Sequence, residues 1–266
     1  TKAEGTFMKS KFTCSIDDWN VSKLKNAKSM FEESAFNCSL SKWDVKNIID
    51  ASSMFSKSDN EKLNLNEWDF GNCEDISGIF SESVCNIKYL DLNRCITFNG
   101  AFESCLIYSF SMYLDTSNVK TMYYTFSGSF SENDLNIKFW DMSNCKNTRF
   151  MFSNFMCIGN NFDTDDIEPS NNLMLNYWDM SSVKYMDSMF IETGNINLFI
   201  SDWNIFETEN INYMFMYSLA NISSLETWHY KEKHTNFLCG SKYISRSGFS
   251  YSKSFADHYK LKFLSN

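Results

Sequence analysis

Tryptophan recurs along the chain at nearly even intervals, at Trp19, Trp43, Trp68, Trp140, Trp178, Trp203 and Trp228, and these are all the tryptophans it has. With Leu90 and Leu114 in the two gaps, the successive spacings are 24, 25, 22, 24, 26, 38, 25 and 25 residues. Twelve residues after each of the first eight positions stands a phenylalanine: Phe31, Phe55, Phe80, Phe102, Phe126, Phe152, Phe190 and Phe215. A unit of about 25 residues cannot enclose a core by itself, so nine such units are expected to stack, with Trp, Met and Phe forming ladders along the axis.

Further columns fill in the unit, which reads W-D-apolar-x-N-apolar-x-x-apolar-x-x-M-F. The residue after each start is Asn20, Asp44, Asp69, Asp91, Asp115, Asp141, Asp179 or Asn204, and Met30, Met54, Met151, Met189 and Met214 precede their phenylalanines. Its apolar steps match neither a sustained helical period nor a long strand. Cys38-Ser39-Leu40 and Leu173-Met174-Leu175 alternate as a short strand with one inward face would. The stretch from Asp50 to Phe55 suits one or two turns of helix or 3₁₀-helix entered from an acidic cap. Asn47, Asn72, Asn118 and Asn144, four residues after their starts, are placed to satisfy backbone groups of a neighbouring unit.

The segments "WDVKNIIDASSMF", "WDMSNCKNTRFMF" and "WDMSSVKYMDSMF" resemble the BspA-like leucine-rich-repeat family and the related repeat of mycoplasma surface lipoproteins, over about residues 7 to 228. The resemblance implies a leucine-rich-repeat-like solenoid with a parallel sheet and roles in adhesion or protein interaction. It supplies no catalytic residues, and Leu90 and Leu114 depart from its tryptophan column. The expected fold is an α/β-type solenoid: a right-handed coil of nine repeats, with a parallel sheet of short strands and short helical or 3₁₀ segments. Residues 1–240 form the repeat body, with an insertion at about 158–171, and 241–266 form a basic cap or tail.

Gly 9 and Pro 1 leave no material for a flexible linker, which favours one continuous body. The net charge of -9 argues against a nucleic-acid partner, because phosphates demand a dense Lys/Arg surface. From His229 onward there are seven Lys or Arg against two Asp or Glu, a basic segment after an acidic body. No apolar run is long enough for a membrane span, and no charged-then-apolar leader is seen, although a processed precursor would look the same.

Of the nine cysteines, Cys14, Cys38 and Cys85 share the column five before the start, and Cys73, Cys95 and Cys145 the column five after it. Both columns otherwise hold mostly Leu, Ile or Val, so these residues are expected to act as small core side chains with reduced thiols. That favours an intracellular or virion-associated setting, with the cell surface as the alternative. Sequons at Asn20, Asn37 and Asn221 point the other way.

No P-loop, dinucleotide fingerprint, nucleophile elbow or zinc-protease motif is present, so no enzyme and no cofactor are expected. His229, His234 and Cys239 would need a fourth ligand to hold zinc, and with His258 they read as surface residues of a polar cap. Asp163, Asp165, Asp166 and Glu168 in the insertion suit a hard cation or, more simply, a solvated acidic loop.

Large apolar residues also occupy positions expected to face outward. Tyr89, Tyr113, Phe139 and Tyr177 stand immediately before the start column, where earlier units carry Asp18, Lys42 and Glu67. Phe110, Met174 and Phe199 lie three residues further back, with Met112 between the columns. Either these form an aromatic stripe across adjacent units that takes a protein partner, or the register is one residue off and they are core. The expected function is a structural or protein-interaction component of a larger assembly, such as a virion or surface layer. The alternative is an exported adhesin binding a host or matrix protein.

Overall fold

The fold follows from where each repeat sends its backbone hydrogen bonds. The computed structural model describes residues 1–228 except 37, 59–62, 64, 66, 67, 88, 89, 91, 111–113, 132, 158–170, 223, 224 and 226, with only the backbone for 85–87 and 108–110. Among the described residues nine short strands appear: β1 Lys11–Phe12, β2 Ala35–Phe36, β3 Val84–Ile87, β4 Leu106–Phe110, β5 Phe130–Ser131, β6 Met156–Cys157, β7 Asn172–Met174, β8 Asn197–Phe199 and β9 Asn221–Ile222. They pair in parallel as β1-β2, β3-β4-β5-β6 and β7-β8-β9.

A second, uninterrupted ladder joins the half-repeat before Trp19 and the first eight repeats through one residue each. Parallel bridges run Lys2, Asn26, Asp50, Asp75, Thr97, Thr121, Asn147, Tyr185, Asn210, each pairing with the next. The step from Asn147 to Tyr185 crosses the insertion without a break in the ladder.

Between this ladder and the strands lies the stretch expected to be helical, and among the described residues no helix is found. The described part of the chain is therefore all-β, without the helical segments expected of an α/β-type coil. In the repeat that starts at Trp19 the N–H groups of Ala27, Ser29, Phe31 and Glu33 donate to the carbonyls of Asp50, Ser52, Met54 and Ser56 in the next repeat at 2.8 to 2.9 Å. The alternate N–H groups, of Met30, Glu32 and Ser34, close turns onto Ala27, Ser29 and Phe31. A helix needs every N–H for its own chain and every residue right-handed. Here half the donors go sideways, and the residues two before and two after each column phenylalanine, from Phe7 to Phe215, have φ between 51° and 66°. Glycine holds four of these eighteen places and other residues hold fourteen, so most repeats accept left-handed backbone at a residue with a side chain.

The core is ordered by the columns. The nine phenylalanine rings form one stack, from Phe7 on Phe31 at 5.3 Å through Phe126 on Phe152 at 5.5 Å to Phe190 on Phe215 at 5.4 Å, with interplanar angles of 17° or less. Offset stacking of this kind adds to plain apolar burial. Tryptophans stack beside it, Trp43 on Trp68 at 6.1 Å and Trp140 on Trp178 at 6.4 Å. Each buried indole has a polar N–H to satisfy. Trp43, Trp68, Trp178 and Trp203 donate theirs to the carbonyls of Ile16, Leu40, Ile137 and Leu175 at 2.9 Å. Leu90 and Leu114 are smaller, and Phe98 fills inward near them, meeting Trp140 edge-on at 5.4 Å.

The asparagine column behaves as its spacing suggests. Asn47, Asn72, Asn118 and Asn144 donate Nδ2 to the carbonyls of Ser22, Lys46, Asn93 and Ser117 in the preceding repeat at 2.7 to 2.9 Å. The Asp after the tryptophan turns the chain, as when Asp69 accepts from the Gly71 N–H at 2.8 Å and Asp141 from Ser143 at 2.8 Å. Hydrogen bonds from Ser143 hold the Asp141 carboxyl below its usual range.

Leu173 and Leu175 are buried with Met174 half-exposed between them, the alternation expected there. The strand of the second repeat falls instead at Ala35–Phe36, before Cys38. The cysteine columns also divide. Cys73, Cys95 and Cys145 are fully buried, and burial pushes the Cys73 and Cys145 thiols up to about 12 and that of Cys95 higher still. Cys38 is half-buried and packs against the core, whereas Cys14 is exposed, which corrects its reading as a core side chain: a neighbouring described repeat covers it on one side only.

Candidate protein-binding surface

Four of the outward-facing candidates, Phe139, Met174, Tyr177 and Phe199, are fully described. Phe139 is 68% exposed and Tyr177 63%, and their rings lie 6.2 Å apart across adjacent repeats. Both positions are fixed by the buried tryptophan that follows, Trp140 or Trp178, which turns the preceding side chain to solvent. The Lys138 ammonium sits 4.7 Å from the Phe139 ring centre. Met174 and Phe199 are half-buried and directly opposed in the β7–β8 pairing. Tyr89, Met112 and Tyr113 lie outside the described residues, as does the Phe110 side chain. Asp163, Asp165, Asp166 and Glu168 also lie outside them, as do His229, His234, Cys239 and His258.

A row that sequence reasoning missed lies on β3 to β6. Val84, Leu106, Phe130 and Met156 are register partners on four successive strands, with Leu106 half-buried and the other three 38% to 41% exposed. In the following repeat Gly194 leaves room for Met156, whose Cγ lies 3.1 Å from where a Cβ on Gly194 would stand. The signal was available: each of the four stands four residues after a column phenylalanine. On the turn side, Tyr124 and Phe150 stack at 4.8 Å, both in left-handed backbone, with Tyr123 edge-on to Tyr124.

The polar surface is laid out by the same repeat spacing. Lys42 pairs with Asp18 at 2.8 Å, Lys57 with Glu82 at 3.3 Å and Lys184 with Glu209 at 2.8 Å, each across one repeat step. Exposed pairs of this kind contribute little stability. Asn197 donates to Asn172 at 3.1 Å and Asn221 to Asn197 at 2.8 Å, so the sequon asparagine at 221 has its amide nitrogen engaged in an asparagine ladder. Asn20 is exposed, and Asn37 lies outside the described residues.

Among the described residues no group of His, Cys, Asp or Glu is placed to hold a metal ion, and no helix is long and apolar enough to cross a membrane. What the surface offers chemically is rows of apolar and aromatic side chains in fixed register, the composition found at the centres of protein interfaces.

Residues 1–91, 81–174 and 167–243 each match the family described as Mycoplasma protein of unknown function, DUF285. The chain belongs to that family, carried as three tandem copies of its pattern. No curated protein and no solved structure matches it.

Proposed function

We propose that the chain is a right-handed, leucine-rich-repeat-like solenoid that serves as a non-catalytic structural or protein-interaction surface within a larger assembly. The solenoid reading is supported by the bridge ladder that passes without a break from Lys2 to Asn210, and its hand by the strong right-handed preference of parallel strands joined by crossovers. The observation that carries the binding role is the solvent-facing pair Phe139 and Tyr177, large rings held outward beside a buried tryptophan column. Leaving such rings in water costs apolar surface, a cost that a protein partner removes.

A photo-crosslinking residue placed at 139 or 177 in the native source is expected to give one discrete protein adduct, absent when the same residue stands at the exposed position of Asp44. The double substitution Phe139→Ser, Tyr177→Ser should abolish binding of that protein with the melting temperature unchanged. Equal adducts at all three positions, or loss of folding in the double variant, would remove the basis for the reading. The second reading, an exported surface adhesin, is supported by the exposed sequon at Asn20, and a glycan found on Asn20 would favour it.

A further inference from the structure

Cys14 and Cys38 stand in adjacent repeats at equivalent places. The pairing of Lys11 with Ala35 and Phe12 with Phe36 sets the register, and each cysteine lies three residues beyond the first member of its strand. Neighbouring strands run about 4.8 Å apart, inside the Cα separation that a disulfide spans. Cys14 is exposed and Cys38 half-buried, so a small oxidant can reach the pair. Cys73 and Cys95 are related in the same way beside the Asp75 to Thr97 bridge, but both are buried, with their thiols turned onto backbone carbonyls at 3.4 to 3.5 Å.

We propose that Cys14 and Cys38 are a redox-sensitive pair that closes to an inter-repeat disulfide by exchange with a small-molecule disulfide such as glutathione disulfide. The exposed Cys14 thiolate attacks one sulfur of the oxidant and expels one glutathione thiolate, leaving a mixed disulfide. Cys38 gives up its proton to solvent and attacks the Cys14 sulfur, expelling the second glutathione thiolate. Two protein thiols are oxidised and one disulfide is reduced to two thiols. Side chains on adjacent parallel strands start slightly further apart than the 3.5 to 4.5 Å Cβ separation typical of a cystine, so about 1 Å of local adjustment is needed. A bridge formed with strain at an accessible site is readily reduced again, which makes this a reversible staple between the first two repeats. Burial and the nearby charge of Asp17 keep the Cys38 thiol protonated more than an exposed one, so closure accelerates as pH rises.

The test uses the full chain, reduced and then exposed to glutathione disulfide at pH 8, with remaining thiols alkylated after unfolding and peptides mapped without reductant. The expected product links the Cys14 and Cys38 peptides, reverts with dithiothreitol, and leaves Cys73 and Cys95 alkylated. In Cys38→Ser the glutathione adduct on Cys14 should persist at least tenfold longer than in the unaltered chain. A stable adduct on Cys14 with Cys38 still free in the unaltered chain would overturn the proposal, as would a Cys14 bridge between two chains or linkage of Cys73 to Cys95.

Discussion

Replacing Phe152 with alanine should destabilise the protein by about 4 kcal/mol, the usual cost of deleting a fully buried aromatic ring. The ring is fully buried and touches the columns on every side: Phe126 and Phe190 above and below at 5.5 Å, Phe155 at 5.7 Å and Trp178 at 6.3 Å. In an array where each unit leans on its neighbours, a gap in the middle weakens two interfaces at once. Chemical denaturation should therefore show a lower midpoint and a broadened transition as the two halves uncouple. Trp19→Ala makes the comparison, because that ring is 51% exposed and its loss should cost under about 1 kcal/mol. Similar losses at the two positions would mean that the phenylalanine stack does not hold the repeats together.

The next largest effect is expected from the backbone. Gly100 has φ +58°, and a Cβ there would stand 3.0 Å from the Glu103 carboxylate, which can swing aside. The penalty for Gly100→Val is thus mostly conformational: a branched side chain in left-handed backbone costs about 2 kcal/mol. Ser53 occupies the equivalent place two repeats earlier with φ 55°, and Ser53→Gly should gain about 0.5 kcal/mol, relief of strain set against the greater freedom of glycine in the unfolded chain. Thermal melts of the two variants should move in opposite directions. A neutral Gly100→Val would show that this column tolerates any side chain.

These two effects also mark the boundary of what the residues revealed before any coordinates. Trp, Phe and Asn columns are legible because each does the same job wherever it occurs: the ring stacks, and the Asn47 amide reaches the Ser22 carbonyl as Asn118 reaches Asn93. The segment ending in Met-Phe was misread as helical because its Asp or Asn entry and apolar spacing are what a helix start carries. What excludes a helix is the sideways donation of Ser29 and Phe31 to the next repeat, a tertiary demand that overrides local propensity. The left-handed places are filled by Ser, Tyr, Phe, Lys, Glu and Asn as well as Gly, so no residue type announces them.

The surface was partly legible. Phe139 and Tyr177 were picked out by contrast with Asp18 and Lys42 in the same column. The row of Val84, Leu106, Phe130 and Met156 escaped because its column holds Lys11 and Ala35 in the first repeats and Gly194 later, which hides the apolar run in any whole-chain consensus. Other repeats place Leu135 and Leu173 in the column of Cys14 and make it look like a core position, yet coverage by neighbours differs from repeat to repeat: Cys38 packs against the core and Cys14 is exposed.

The proposed continuous solenoid is tested most directly by distances between spin labels attached through unnatural residues at equivalent exposed positions. With one label at Asp44 and the second at Asp115, Asp141, Asp179 or Asn204, the account predicts a linear rise of about 4.8 Å per repeat, with Asp44 to Asn204 at about 29 Å. A separation that stops growing with repeat number, or that jumps between Asp141 and Asp179 where the insertion lies, would contradict it.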